Sequence, residues 1–276
     1  MPLVDDFPAL SPWLENQLGH ALDKAAQGHC AVLPGPAVDE PDRTALLAYR
    51  IGRAAIIRVP ETWLQRIRSV VADLSLDEVF SVFGAYELSR VTLEEGVGVW
   101  GPSWYYFADR DSFVSGVPTE AVQLDAAAMQ DADPDVFWHC DRAGAAVGFG
   151  VFEQGRLVAL AGVRDIGAPV YEIDVDVAPA NGRRGLGRAV MGAAGRWILE
   201  RGGLPLARTA PWNVPSARLL RSLGMRYTLC DMVGTPGPFR VPPQPLGKPT
   251  PEARMYNLYP AWAMNKNIEP KNPAAG

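Results

Sequence analysis

Apolar and polar positions follow two different rhythms along the chain, with the change near residue 118. Leu14, Leu18 and Leu22 recur every four residues and predict a short amphipathic helix in the first forty residues. Two apolar runs, Ala45–Tyr49 and Ala54–Val59, flank a polar turn containing Gly52, which predicts a β-hairpin. Pro60 stands at a helix start, and Trp63, Ile67, Val70, Val71 and Leu74 share one face of the helix expected over Pro60–Leu74. Ser75-Leu-Asp-Glu78 has the form of a capping box opening a second helix. Val97–Asp109 reads as strand and turn, and Gly116-Val-Pro118 as a boundary. The aromatic run Trp100–Phe107 reads first as core, and alternatively as the wall of a substrate pocket.

Beyond the boundary, short strands alternate with helices. Strands are expected at Glu120–Leu124, Ala145–Phe152, Leu157–Val163, Tyr171–Val177, Leu204–Thr209 and Arg226–Val233. Helices are expected at Leu186–Arg201 and Pro215–Leu223, the latter closed by Gly224, with helix or loop at Asp125–His139. Ten prolines between Pro236 and Pro273 exclude a regular long helix or a central strand from the tail. Three segments result: an α+β segment at 1–117, a second at 118–234 and a Pro-rich tail at 235–276.

Composition narrows the function classes. The chain has 276 residues with 48% apolar and 21% charged positions, which is a globular balance. A net charge of −5 is too acidic for a general nucleic-acid binder. There is no apolar run of about 18 residues and no basic N-terminal leader, so a cytoplasmic protein without membrane spans is expected. Cys30, Cys140 and Cys230 are odd in number and scattered, which fits a reducing compartment. No His, Cys and Asp cluster has metal-ligand spacing, so no metal is expected.

The chemistry concentrates in Tyr171–Gly187, YEIDVDVAPANGRRGLG, where a strand runs through a turn into a helix. Leu186, Ala189, Val190, Ala193, Ala194, Trp197 and Ile198 make one apolar stripe on that helix. A glycine turn feeding a helix N-terminus presents unpaired N–H groups and the positive end of the helix dipole. Arg183, Arg184 and Arg188 add positive charge, and together these features suit a pyrophosphate. An ordinary strand-to-helix turn with solvated arginines would look the same. The residue three after Gly187 is Val190, so a dinucleotide fingerprint is incomplete, and a Walker ending is absent.

This stretch resembles the GCN5-related N-acetyltransferase (GNAT) superfamily. The family's cofactor motif is a strand ending V-x-P followed by R/Q-x-x-G-x-G/A, which Val177-Ala-Pro179 and Gly185-Leu-Gly187 match. Asn213-Val-Pro-Ser216-Ala-Arg-Leu219-Leu220-Arg-Ser-Leu223-Gly224-Met225 is similar to the family's N-x-x-A/S-x-x-L-Y-x-K-x-G-F segment. The two matches span about residues 120–233. The chain departs from the pattern at Gly182, in the R/Q position, and at Leu220, where many relatives carry the tyrosine that protonates the leaving thiolate. CoA thiolate is a fair leaving group, so the missing acid costs roughly 10²-fold or less.

The resemblance implies a three-layer α/β fold of the α+β class. Its mixed, mostly antiparallel sheet would be flanked by helices and preceded by a smaller N-terminal α+β domain, degenerate or acceptor-side. It implies acetyl-CoA, or a longer acyl-CoA, as co-substrate, bound between two splayed parallel strands, Tyr171–Val177 and Leu204–Thr209. Main-chain groups of Asp176, Val177 and Ala178 would pair with pantetheine. Arg183, Arg184, Gly185, Leu186, Gly187, Arg188 and Ala189 would hold the pyrophosphate, and Asn213 and Ser216 would assist. The implied reaction is N-acylation of a small-molecule amine by direct attack. The alternatives are a non-catalytic acyl-CoA-binding module, or another acyl-CoA reaction such as O-acylation or thioester decarboxylation. A homodimer stays open, and neither nucleic acid nor membrane is an expected partner.

Amine attack needs a base. Strand alternation puts Glu172, Asp174 and Asp176 on one face, where they would attract a cationic amine and raise one another's pKa. Glu172 is the preferred base and Asp174 the second, with a solvated structural face as the plain alternative. His139, between Trp138 and Cys140, is a further candidate as a base or part of a thiol pair, although a lone histidine among aromatics is more often packed.

Overall fold

In the computed structural model, which describes residues 7–24, 26–38, 44–114, 120–182 and 184–237, eleven strands hydrogen-bond into one sheet. In chain order the elements are α1 (Leu10–Leu18), β1 (Ala26–Gln27), β2 (Cys30–Pro34), β3 (Leu46–Ile51), β4 (Ala54–Val59), α2 (Leu64–Ala72), α3 (Leu76–Val79) and α4 (Val82–Thr92). They continue with β5 (Val97–Phe107), β6 (Val122–Leu124), α5 (Ala126–Gln130), β7 (Val147–Glu153), β8 (Arg156–Asp165) and β9 (Val170–Val177). The last are α6 (Leu186–Glu200), β10 (Leu204–Thr209), α7 (Val214–Ser222) and β11 (Arg226–Pro236). The sheet order is β1-β4-β3-β11-β5-β10-β9-β8-β7-β6, with β2 also on β4. Among the described residues only β2–β4 and β9–β10 pair in parallel. The expected mixed, mostly antiparallel sheet flanked by helices is what forms.

Local signals account for most element ends. Gly19 adopts φ +69° and stops α1 after Leu18, so Leu22 falls in a separate short turn instead of extending the helix. Gly52, at φ +60°, makes the β3–β4 turn. The capping box is complete: Ser75 Oγ accepts the Glu78 N–H at 3.3 Å, and Glu78 Oε2 accepts the Ser75 N–H at 2.8 Å. The single helix expected after it is divided, because Ser81 caps a new start, accepting from the Gly84 N–H at 3.2 Å. The last strand runs past Val233 to Pro236.

Three layers follow from strand alternation. On one face, α6 and α7 cover Ala159, Ala161, Ile173 and Ala207. The helices α2 and α4 cover Ala48, Ile57 and Met232, with Trp104 and Tyr227 joining the two clusters. On the other face, α1 packs Leu10, Trp13, Leu14 and Leu18 onto Tyr49, Phe107, Leu206 and Leu229. Met129 of α5 and the following loop cover Leu124 and Leu160 on that same face. No helix among the described residues is long and apolar enough to cross a membrane. The boundary expected at Gly116-Val-Pro118 and the tail beyond Gly237 lie outside the described residues.

Candidate active site

The site begins where two parallel strands part. β9 and β10 pair at Leu204↔Val170, Pro205↔Tyr171 and Leu206↔Glu172, and there the pairing stops. Both strands continue, to Val177 and Thr209, so an open wedge separates them. Along β9 the backbone groups alternate in direction. The Leu204 N–H donates to Pro169 O at 2.8 Å, toward β10, and the Ala178 N–H donates to Val158 O at 2.9 Å, toward β8. By that alternation Ile173, Val175 and Val177 face the wedge, and Asp174, Asp176 and Ala178 face β8. Of the three main-chain contacts expected from sequence, Val177 faces the wedge. Asp176 and Ala178 have their backbone groups engaged toward β8, and Val175 faces the wedge beside Val177.

The wedge leads to the glycine turn. Gly185 sits at φ +80° and no side chain caps α6, so the first-turn N–H groups of Leu186, Gly187 and Arg188 have no partner within the helix. A Cβ on Gly187 would stand 3.3 Å from Leu219 Cδ2 and 3.4 Å from Val177 Cγ2, so glycine lets the helix start close to the end of β9. The arginines contribute less than their number suggests. Arg184 is ion-paired to Glu153 at 2.7 Å, and Arg188 Nη2 donates to Ser222 O at 3.2 Å. Arg183 lies outside the described residues. Asn213 caps α7, its Oδ1 accepting the Ser216 N–H at 3.2 Å. The uncapped 15-residue helix and the close glycine fit a pyrophosphate held by main-chain N–H groups.

Glu172, Asp174 and Asp176 share one face of β9, opposite α6, but they are not equivalent. Glu172 is 3% exposed. Its Oε2 accepts from Arg164 Nη2 at 2.6 Å and Arg208 Nη2 at 3.0 Å, and its Oε1 accepts from Arg208 Nε. Both oxygens are engaged by guanidinium groups. Asp174 accepts from Arg164 Nε at 3.1 Å. Burial, reinforced by Glu172 and opposed by Arg164, pushes the Asp174 carboxyl up to about 6.

Asp176 holds a histidine. Its Oδ2 accepts the His139 N–H at 2.8 Å, and its Oδ1 lies 2.6 Å from His139 Nδ1. A carboxylate only accepts, so Nδ1 is the donor of this contact, and in the neutral ring the lone pair is on Nε2. The ring is 48% exposed and stacks on Trp138, centroids 3.4 Å apart. The neighbouring Cys140 is buried with its thiol on Leu160 O at 3.7 Å, and burial pushes its pKa up, so histidine and cysteine form no thiol pair. The sequence signal for this dyad was His139 itself; its partner, 37 residues away, came only with the fold.

Residues 110–225 match the model of the Acetyltransferase (GNAT) family. They form a GNAT domain. Among solved structures, the chain is similar to a GCN5-related N-acetyltransferase from Kribbella flavida (20% identity, 55% of this chain and 64% of that one, TM-score 0.43). It is also similar to a GCN5-related N-acetyltransferase-like protein from Streptococcus suis (16% identity, 84% and 98%, TM-score 0.42). A third is an aminoglycoside N-acetyltransferase solved in complex with CoA (16% identity, 41% and 91%, TM-score 0.33). The chain spans between 58 and 66% of the length of several structures it matches. No curated protein matches it.

The GNAT domain meets β5 and β11 at a buried acid that lies outside the matched segment. Asp231 accepts from Tyr105 Oη at 2.7 Å on Oδ2. Burial pushes its carboxyl up to about 6, against the pull of Arg208 and Tyr105. A carboxyl pKa raised on folding favours the folded state below its unfolded value and loses that contribution as pH rises through about 6. Asp231→Asn is therefore expected to be more stable than the parent at pH 8 by about 2–3 kcal/mol, with the difference vanishing near pH 3. Urea denaturation at the two pH values checks this, and a variant less stable at pH 8 contradicts it.

Proposed function

We propose that the chain is an acyl-CoA-dependent N-acyltransferase that moves an acetyl group from acetyl-CoA to a small-molecule amine. The observation that carries this reading is the wedge between β9 and β10 leading into an uncapped helix N-terminus, with the His139–Asp176 pair on the adjoining face. The N–H groups of Leu186, Gly187 and Arg188 would hold the pyrophosphate, and the wedge-facing main chain of Val175 and Val177 would hold pantetheine. The co-substrate supplies a thioester carbonyl. A main-chain N–H in the wedge polarises its oxygen as negative charge develops there. His139 Nε2 takes the proton of the attacking amine, and Asp176 keeps the ring in the right tautomer and steadies the imidazolium. The C–N bond forms, the C–S bond breaks, and CoA leaves as thiolate. Leu220 is 1% exposed in the core and donates no proton, so the leaving group departs without acid help from that helix.

Thiol release against a panel of amines, with acetyl-CoA binding followed by calorimetry, tests the reading. Absence of binding at millimolar acetyl-CoA overturns it. Gly185→Val forces a β-branched residue into a left-handed conformation that costs roughly 1–2 kcal/mol. Acetyl-CoA is then expected to bind about tenfold more weakly or worse, and an unchanged Kd argues against the cradle. Leu220 favours one other reading, an acyl-CoA-binding module without turnover. Acetyl-CoA binding with no thiol release on any amine supports that alternative.

A further inference from the structure

On the α1 face of the sheet, beside the closed end of the wedge, lies a cavity of about 420 Å³. Trp13, Tyr49 and Tyr105 contribute aromatic wall, and Arg58, Arg164, Arg208, Glu172 and Asp231 contribute charge. Only the strands β8 to β10 bring residues from the GNAT segment; the rest of the wall comes from α1, β3, β4, β5 and β11.

Two groups in this cavity have bonding capacity that the fold leaves unused. Asp231 is 1% exposed. Tyr105 Oη donates to its Oδ2, and the Ser103 hydroxyl also faces the carboxylate. Its Oδ1 has no hydrogen-bond partner among the described residues. An orphaned carboxylate oxygen in the interior is costly. Its same-face neighbours on β11, Leu229 and Val233, are apolar, so packing alone does not ask for an acid there. The second group is Arg208. Its Nε and Nη2 bond Glu172, its guanidinium stands 5.6 Å from the Tyr105 ring centroid, and its Nη1 has no partner among the described residues. The cavity thus offers one unsatisfied acceptor and one set of spare cationic donors, on either side of one tyrosine.

We propose that this cavity binds a zwitterionic amino-acid headgroup of the acceptor, its ammonium on Asp231 and its carboxylate on Arg208. A plain polyamine would meet Arg58, Arg164 and Arg208 as well as Asp231, and a dicarboxylate would meet Glu172 and Asp231 as well as the arginines; a group of both signs matches both. This assignment rests on the acyltransferase reading and names its acceptor class. Glu172, beside the cavity, and Asp176, beneath His139, are four residues apart on β9, about 13 Å. The reacting amine therefore lies at the far end of the acceptor from the headgroup.

Calorimetry on the full chain tests the headgroup directly, with free L-amino acids set against matched amines: L-lysine against cadaverine, L-phenylalanine against phenethylamine, L-leucine against isoamylamine. At least one amino acid is expected to bind, with its decarboxylated partner weaker by about tenfold or more. Asp231→Asn is expected to weaken the amino acid to a similar degree. Val233→Phe, which fills the cavity from its apolar side, does so without removing a charge and is an independent check on the site. Equal binding of amines and amino acids overturns the proposal, as does no binding at millimolar concentration or binding unchanged in Val233→Phe. Thiol release from acetyl-CoA on amines without amino-acid binding removes this proposal alone. Amino-acid binding without acetyl-CoA binding removes the acyltransferase reading and leaves the headgroup site standing.

Discussion

His139→Gln is expected to lower kcat on amine acceptors by about 10²- to 10⁴-fold, the range for loss of a positioned general base, with acetyl-CoA affinity unchanged. The expectation follows from the two contacts that fix the ring. Asp176 accepts the backbone N–H and faces Nδ1, so the imidazole is held as one tautomer with Nε2 pointing away from its anchor. Glutamine keeps polarity and approximate length but takes up no proton near neutral pH. Asp176→Asn acts through the ring, so its signature differs. It leaves an imidazole in place but frees its orientation, so kcat is expected to fall less than in His139→Gln. Steady-state kinetics on one amine distinguish the two variants. If His139→Gln retains full kcat and Asp174→Asn loses it, the base is Asp174, whose raised pKa also suits proton transfer.

Glu172→Gln is expected to cost about 3–5 kcal/mol of folding stability, because it removes the shared anion and leaves two guanidinium groups facing each other. Breaking such a pair is far worse than never having built it, since the desolvated partners stay behind. Urea denaturation at pH 7 measures the loss, and turnover at low temperature separates folding from chemistry. A variant that keeps its stability but loses all turnover would return Glu172 to the role of base. A destabilised variant that still turns over when folded assigns Glu172 to holding Arg208 and Arg164 in place.

Much of this architecture was legible in local sequence. The α6 stripe, the Gly52 turn and the Ser75–Glu78 box each encode their element within a few residues. The splay of β9 and β10 was legible only through the family resemblance, since nothing in either strand states where parallel pairing ends. The carboxylate face of β9 followed from alternation, but its division of labour did not. Whether an acid on that face is base, anchor or structural anion depends on Arg164, Arg208 and His139, which reach it from other elements. Asp231 carried no sequence signal at all, because its meaning comes from a cavity walled by α1 and by strands from both parts of the sheet.

The position of β11 sets the order in which the chain can fold. Its residues pair on one side with β3 and on the other with β5, so strands separated by nearly 50 positions in sequence are joined, among the described residues, only through the strand that comes last in them. As the protein is synthesised, β3 and β5 emerge early and wait with open hydrogen-bonding edges until residues 226–236 arrive. Those edges are apolar and invite pairing with the same edges of a neighbouring nascent chain. Joining of the β1-β4-β3 part of the sheet to the β5-to-β6 part therefore waits for β11, and so does the cavity beside Asp231, whereas the wedge between β9 and β10 does not.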